Sequence, residues 1–154
     1  MITIKPYLPE YKNQLLAIFK SNMPLYFAEE EVQLFDAFLD RDALERGPYS
    51  VIFKNDDIVG CGGIALNQPT EYTNVPHVIM TWGMVDNKHH KEGLGKELLL
   101  HRIIQAKEIY PGIKIALGTT QHTFQFFEKY GFKTVAYEKD HWGKDLDLYQ
   151  MELI

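Results

Sequence analysis

The stretch from Asp86 to Leu100 constrains this chain more than any other. A β-favouring apolar run, Val78 to Val85, leads into Asp86-Asn87-Lys88-His89-His90-Lys91-Glu92, and Gly93-Leu94-Gly95 then opens an amphipathic run. That order reads as strand, tight glycine turn, helix. Glycine at 93 and 95 lets the backbone take angles that a Cβ forbids and come close to a ligand. The first N–H groups of a helix have no internal partner and point outward at the positive end of its dipole. Such a site suits a phosphate or pyrophosphate. His89, Lys91 and Lys96 add donors or positive charge nearby. Alone, a Gly-x-Gly at a helix start is equally well just a turn. Two better-known phosphate loops do not fit. A Walker loop needs Ser or Thr after Gly-Lys, and Gly95-Lys96 is followed by Glu97. A dinucleotide fingerprint needs a third glycine three residues on, where Leu98 stands.

A chain of 154 residues is expected to form one domain, residues 1–154. At this length roughly 70% of the unfolded surface is buried without help from disulfide or metal. Cys61 is the single cysteine, so no internal disulfide forms, which argues for a reducing compartment, the cytoplasm. No apolar run approaches the roughly 20 residues of a membrane span. The N-terminal Met-Ile-Thr-Ile-Lys-Pro lacks the features of a signal peptide. A net charge of −5 argues against a sequence-independent nucleic-acid binder and mildly favours a cationic substrate.

Ile2 to Lys5 alternates as a short strand, and a helix is expected from Pro9 to about Ser21, with Leu15, Leu16, Ile18 and Phe19 on one stripe. Asn22-Met23-Pro24 breaks it, and Glu29 to Leu39 restarts a helix. Tyr49 to Lys54 and Ile58 to Leu66 form a hairpin about Asn55-Asp56-Asp57, and glycines 60, 62 and 63 suggest close packing or a bulge in the return strand. Gln68 to Pro76 is a loop, His77 to Val85 a strand, and Gly93 to about Tyr110 the helix after the glycine turn. Lys114 to Gly118 is a strand, and Thr123 to Tyr130 a short helix ended by Gly131. Phe132 to Tyr137 and Leu146 to Leu153 are the last strands, with a loop from Glu138 to Lys144. The order β-α-α-β-β-β-α-β-α-β-β is that of a mixed α/β domain, antiparallel early and with a crossover in the middle.

This order, with two motifs, resembles the GNAT (Gcn5-related) family of N-acetyltransferases. The family loop, Gln/Arg-x-x-Gly-x-Gly/Ala, is matched by His90-Lys91-Glu92-Gly93-Leu94-Gly95, with His where Gln or Arg is usual. The second motif, an aromatic-rich helix ending in Gly-Phe, is matched by Phe126-Phe127-Glu128-Lys129-Tyr130-Gly131-Phe132. The resemblance runs from Ile2 to Leu153. It implies a GNAT-like acyl-CoA N-acyltransferase fold, with acetyl-CoA as cosubstrate and a small-molecule or peptide primary amine attacking it directly in a ternary complex. Backbone N–H groups from Lys91 through Glu92, Gly93, Leu94 and Gly95 to Lys96 would cradle the pyrophosphate. The strand ending at Val85 would splay from the next one, and the pantetheine arm would lie there against Met84 and Val85. Dimers are common in such families, so a homodimer, paired or exchanged through the last strand, is open.

The resemblance also sets the search for acid and base. The family's usual acid is a tyrosine four residues before the glycine, and here that position is Phe127. Tyr130, one turn on, is the substitute acid; the family pattern otherwise sets it against the core. His77 is the one basic candidate on the strand before the loop, weighed against a plain surface histidine at a strand end. His122, at the turn into the second motif, is a second candidate. Thr120 falls where many members carry an Asn that touches CoA, and it equally suits a helix cap. Glu29 and Glu30 are candidates for the acceptor wall, as Tyr26, Phe27 and Tyr72 are for substrate sorting, and Trp82 for core or channel. Adjacent His89 and His90 do not point together and lack a Cys or carboxylate at ligand spacing, so no metal is expected. Cys61 reads as a small core residue. Two other functions compete with acetyl transfer: a non-catalytic acyl-CoA-binding sensor, kept open by Phe127, and an unrelated ATP- or NAD-binding enzyme.

Overall fold

Tyr49–Lys54 (β2) and Asp57–Asn67 (β3) pair antiparallel about a turn in which Asn55 takes φ 58°. Asparagine tolerates that left-handed angle better than most residues. Ile2–Pro6 (β1) adds to the outer edge of β2, and His77–Val85 (β4) to the inner edge of β3. In the computed structural model, which describes residues 1–154, these strands continue through Lys114–Thr119 (β5), Leu146–Leu153 (β7) and Phe132–Gly143 (β6) into one seven-stranded sheet. Only the β4–β5 contact is parallel. That is the expected mixed sheet, and it matters because parallel neighbours require a crossover, supplied by Leu94–Ile109 (α4).

One apolar core lies between the sheet and the helices Lys12–Ser21 (α1) and Glu31–Asp40 (α2), where Leu15, Phe19, Phe35 and Leu39 pack on Val51, Cys61 and Met84. The other lies beneath α4 and Phe124–Glu128 (α5), where Leu99 and Ala106 pack on Ile64, Val78, Leu117 and Met151. The glycines of β3 sit at a register shift against β4 between Cys61 and Gly63. Opposite, Trp82 takes φ 34°, and the Tyr49 hydroxyl donates to its carbonyl at 2.7 Å.

Several boundaries depart from the sequence expectation. Pro9–Tyr11 is a 3-10 turn and the α-helix begins at Lys12. The second helix begins at Glu31, with Glu30 at its N-cap and no side chain capping it, and the Glu31 carboxylate folds back to accept the Ala28 N–H at 3.0 Å in the turn before it. Asp42–Glu45 forms an unforeseen single turn, α3. The segment Glu138–Lys144, expected as a loop, extends β6 to Gly143. Its charged residues show no apolar alternation. Side chains hold it instead: Asp147 accepts from the Asp140 N–H at 2.9 Å, and Asp140 accepts from the Asp145 N–H at 2.8 Å. The last strand, β7, is interior between β5 and β6, so it offers no free edge; β6 is the edge.

Candidate active site

Pairing between β4 and β5 stops early. It joins His77 to Lys114, Val78 to Ile115 and Ile79 to Ala116, and nothing beyond. From there β5 turns its other edge to β7 while β4 stays on β3. The two strands splay, and a cleft of about 1260 Å³ opens between them. Backbone on the β4 side of the cleft is accessible at Gly83. An open strand edge of this kind offers N–H and C=O groups to an extended ligand as a further strand would.

The glycine loop forms one end of the cleft. Asp86 accepts the Lys88 N–H at 3.1 Å and starts a 3-10 turn, Asn87–His89. Lys91 and Gly93 then take φ 69° and 83°, and α4 begins at Leu94 with no side chain capping Gly93. Its leading N–H groups therefore face the cleft unclaimed by a cap, with Lys91 and Lys96 beside them. Glycine at 93 is required by its angle. At Gly95 a Cβ would meet only the Phe126 ring, at an ordinary 3.5 Å, so packing does not demand glycine there. What the missing side chain leaves is open space between α4 and α5. An uncapped helix start at the end of a strand-shaped slot fits a pyrophosphate joined to an extended amide-bearing arm, the shape of CoA.

The sequence-predicted residues divide by what they offer. Lys91, Gly93, Gly95 and Lys96 line the cleft. Leu94 is buried against Ile52 and Val59, so only its backbone is available. Glu92 turns its carboxylate to Lys54 at 2.7 Å and to His89, and the Lys54 ammonium holds it below the usual carboxylate range. His90 closes the loop: its Nε2–H donates to the Val85 carbonyl at 3.0 Å. That carbonyl also accepts from buried Asn22 at 2.9 Å, so it is already occupied. Met84 buries its side chain under α1 and α2. Thr120 is buried and accepts the His122 N–H at 3.2 Å, forming the turn into α5. Phe127 lines the cleft edge-on to Phe126 and Phe132, and Tyr130 lines it beside Phe126 at 5.2 Å. His122 is exposed at the mouth, edge-on to Tyr26 at 6.1 Å.

His77 does not join them. It is 1% exposed at the closed end of the β4–β5 ladder. Its Nδ1–H donates to the Val75 carbonyl at 2.8 Å, and Nε2 faces the Asn67 amide at 3.4 Å. With both ring nitrogens engaged and no access to the cleft, it has the placement of a structural histidine. Glu29 and Glu30 are exposed outside the cleft, and Glu31 stands at the acceptor wall instead, with burial pushing its carboxyl pKa up.

The mouth joins Tyr72 to two residues that the sequence did not point to, Glu138 and His141. His141 Nδ1 bonds the Glu138 carboxylate, and the Tyr72 hydroxyl donates to the same carboxylate at 2.7 Å. The next residue, Trp142, donates its indole N–H to the Thr119 carbonyl at 3.3 Å, hooking this hairpin to the end of β5. No spacing rule links Tyr72 to residues 138 and 141; only the extended β6 hairpin brings them together. Phe27 and Trp82 join the α1–α2 aromatic core, Phe27 stacking on Phe19 at 4.5 Å, while also reaching the cleft.

Residues 14–132 match the family model described as acetyltransferase (GNAT) family. The chain belongs to this family. Among solved structures, this GNAT chain is similar to the ribosomal-protein-S18-alanine N-acetyltransferase of Escherichia coli, at 16% identity and TM-score 0.77 over 99% of this chain and 93% of that one. It is also similar to the yncA protein of Salmonella typhimurium, solved with its cofactor acetyl-CoA, at 18% identity and TM-score 0.75, again over 99% and 93%. Those likenesses establish the shared fold. A sequence likeness of another kind, 28% identity over 98 residues, is to the large ribosomal subunit protein bL9 of Ureaplasma parvum, covering 62% of this chain and 67% of that protein. At that identity it carries no functional assignment for a GNAT chain.

Proposed function

We propose that this protein transfers an acetyl group from acetyl-CoA to a primary amine by direct attack in a ternary complex. The observation that carries the reading is the continuity of the β4–β5 splay with the uncapped start of α4. Bound there, acetyl-CoA supplies an activated thioester; the rest is done by the chain. N–H groups of residues 91–96 and the ammonium groups of Lys91 and Lys96 hold the pyrophosphate. Backbone N–H of β4 in the splay polarises the thioester carbonyl. The Glu138 carboxylate, behind the cleft-lining Tyr72 and His141, is held below the usual carboxylate range and suits a cationic amine.

The amine must shed a proton to attack. The base in this reading is His141, whose Nδ1 bonds the Glu138 carboxylate so that Nε2 is left to accept. The nitrogen–carbon bond forms as the carbon–sulfur bond breaks, and the sulfur leaves as thiolate. Phe127 cannot protonate it, and the proton donor in this reading is Tyr130, which also lines the cleft. The sensor reading rests on Phe127 alone. The deciding experiment is a thermal-shift series with acetyl-CoA, CoA, ATP and NAD, followed by CoA release over an amine panel. CoA-selective stabilisation with turnover of any amine supports acetyl transfer. CoA binding without turnover across the panel favours the sensor. No CoA response refutes both.

A further inference from the structure

Arg102 is a buried cation with no ion-pair partner in the chain. It lies on α4, is 4% exposed, and lines the cleft. Its guanidinium rests flat on the sheet where two neighbouring strands both carry glycine. A Cβ on Gly83 would fall 2.5 Å from Nη2 and 2.8 Å from Nη1, and one on Gly62 would fall 3.2 Å from Nε. The two glycines thus leave the room that the guanidinium occupies.

Nothing in the chain neutralises it. The ion pairs all lie elsewhere, and Nε is buried with no hydrogen-bond partner. The titratable groups that favour its charge are Tyr49 and Cys61, both pushed by burial toward their neutral forms. Burial lowers Arg102 itself only to about 10, so it is a cation at neutral pH. A buried cation without a counter-charge is costly, and an Arg fork is built to take a carboxylate with two parallel hydrogen bonds.

Its position says which ligand group it meets. α4 runs back along β4 from the loop. Arg102 is eight residues past Leu94, about 12 Å along the helix axis. It faces Gly83, which stands in the open part of the splay, four residues past Ile79, the last residue paired with β5, and two residues before Val85 and the loop that forms the pyrophosphate cradle. An arm anchored at Gly93 and laid along β4 brings its acyl end to this point. The acceptor wall, Glu31 and the Tyr72–Glu138–His141 group, lies across the sheet on the α1–α2 and hairpin side. We infer that Arg102, seated in the Gly62–Gly83 slot, is a recognition site for a carboxylate at the end of the acyl group, so that CoA thioesters of dicarboxylic acids, of the malonyl or succinyl class, bind in preference to acetyl-CoA. The transfer step is unchanged. The ammonium gives one proton to His141, the freed amine nitrogen bonds to the thioester carbon as the carbon–sulfur bond breaks, and the second N–H proton goes to the departing thiolate. The far carboxylate takes no part and stays on Arg102, and a cationic amine becomes an anionic amide.

This inference rests on reading the splay as the CoA thioester site and refines which thioester it holds. The test is calorimetric titration of the whole chain with CoA, acetyl-CoA, malonyl-CoA and succinyl-CoA, repeated on Arg102→Met and Gly83→Ala. The wild type should bind one of the carboxylated thioesters roughly tenfold or more tighter than acetyl-CoA, the scale of a charge-assisted hydrogen bond. Arg102→Met should collapse that ratio to about one and raise Tm, since it removes an uncompensated charge. Gly83→Ala, which displaces the guanidinium, should lower the ratio with Arg102 still present. Equal binding of acetyl and carboxylated thioesters by the wild type, or a preference that survives Arg102→Met, overturns the inference and leaves the CoA reading intact. Failure of every CoA species to bind overturns both.

Discussion

Asn22 and His90 meet at one atom, and that makes their joint removal informative. Asn22 donates through Nδ2 to the Ile18 carbonyl at 3.0 Å and to the Val85 carbonyl at 2.9 Å. His90 donates to the same Val85 carbonyl at 3.0 Å. At about 1 kcal/mol per net hydrogen bond, Asn22→Ala should cost about 2 kcal/mol and His90→Ala about 1 kcal/mol. Each single variant leaves the carbonyl one donor. The double variant leaves it none, adding roughly 1 kcal/mol for an unpaired, partly buried acceptor. The expected loss is thus about 4 kcal/mol against about 3 kcal/mol from addition. Urea denaturation of the four proteins at a common m-value reads this directly. Additivity within about 0.3 kcal/mol, or a loss below about 0.5 kcal/mol for Asn22→Ala, would refute the shared-carbonyl argument.

Thr73 is 1% exposed, accepts from Gln150 and donates to Glu152, both at 3.1 Å; Thr73→Val should cost about 2 kcal/mol in thermal denaturation by stranding the Gln150 amide. Gly93→Ala should cost about 1 kcal/mol from its positive φ alone, whereas Gly95→Ala, in a helical first turn, should hold or raise Tm while weakening CoA binding several-fold in titration. Cys61, fully buried with its thiol pushed up to about 12, should resist a thiol reagent at pH 8 until denaturant unfolds the chain. Glu138 is held below the usual carboxylate range first by the Tyr72 hydroxyl, Glu92 first by Lys54, and Asp147 first by the Asp140 N–H. Their folded pKa values lie below the unfolded ones, so their contribution is present above the unfolded range and lost as pH falls through the folded values. Glu92→Gln with Glu138→Gln should flatten the acid limb of a Tm-versus-pH curve.

The strands and helices with apolar periodicity stood in plain view in the sequence. Val78 to Val85, the Gly93 turn and the helix after it fall where their patterns put them, because burial and helix start chemistry are local. The β6 extension did not show, since Asp140, Asp145 and Asp147 hold it through side-chain bonds to backbone that no period encodes. The glycine loop at one end of the cleft was likewise legible, being contiguous. The acceptor half was not. Tyr72 and Glu138 are 66 positions apart, and Arg102 is meaningful only because glycines on two other strands make room for it. His77 misled because a histidine beside the loop strand has the right chemistry; only its hydrogen bonds to Val75 and Asn67 reveal it as part of the framework.

Three residue pairs are all that join β4 to β5. In mechanical terms the sheet is two slabs, β1 to β4 and β5 to β7, meeting at a short seam near His77 and otherwise joined through the apolar packing of Leu99 and Ala106 on Ile115, Leu117 and Met151. A molecule lying in the splay would act as the absent strand and stitch the slabs along their remaining length. Amides of β4 beyond Ile79 that exchange quickly in the free protein should then slow when the slot is filled, while those of the closed seam stay as they were.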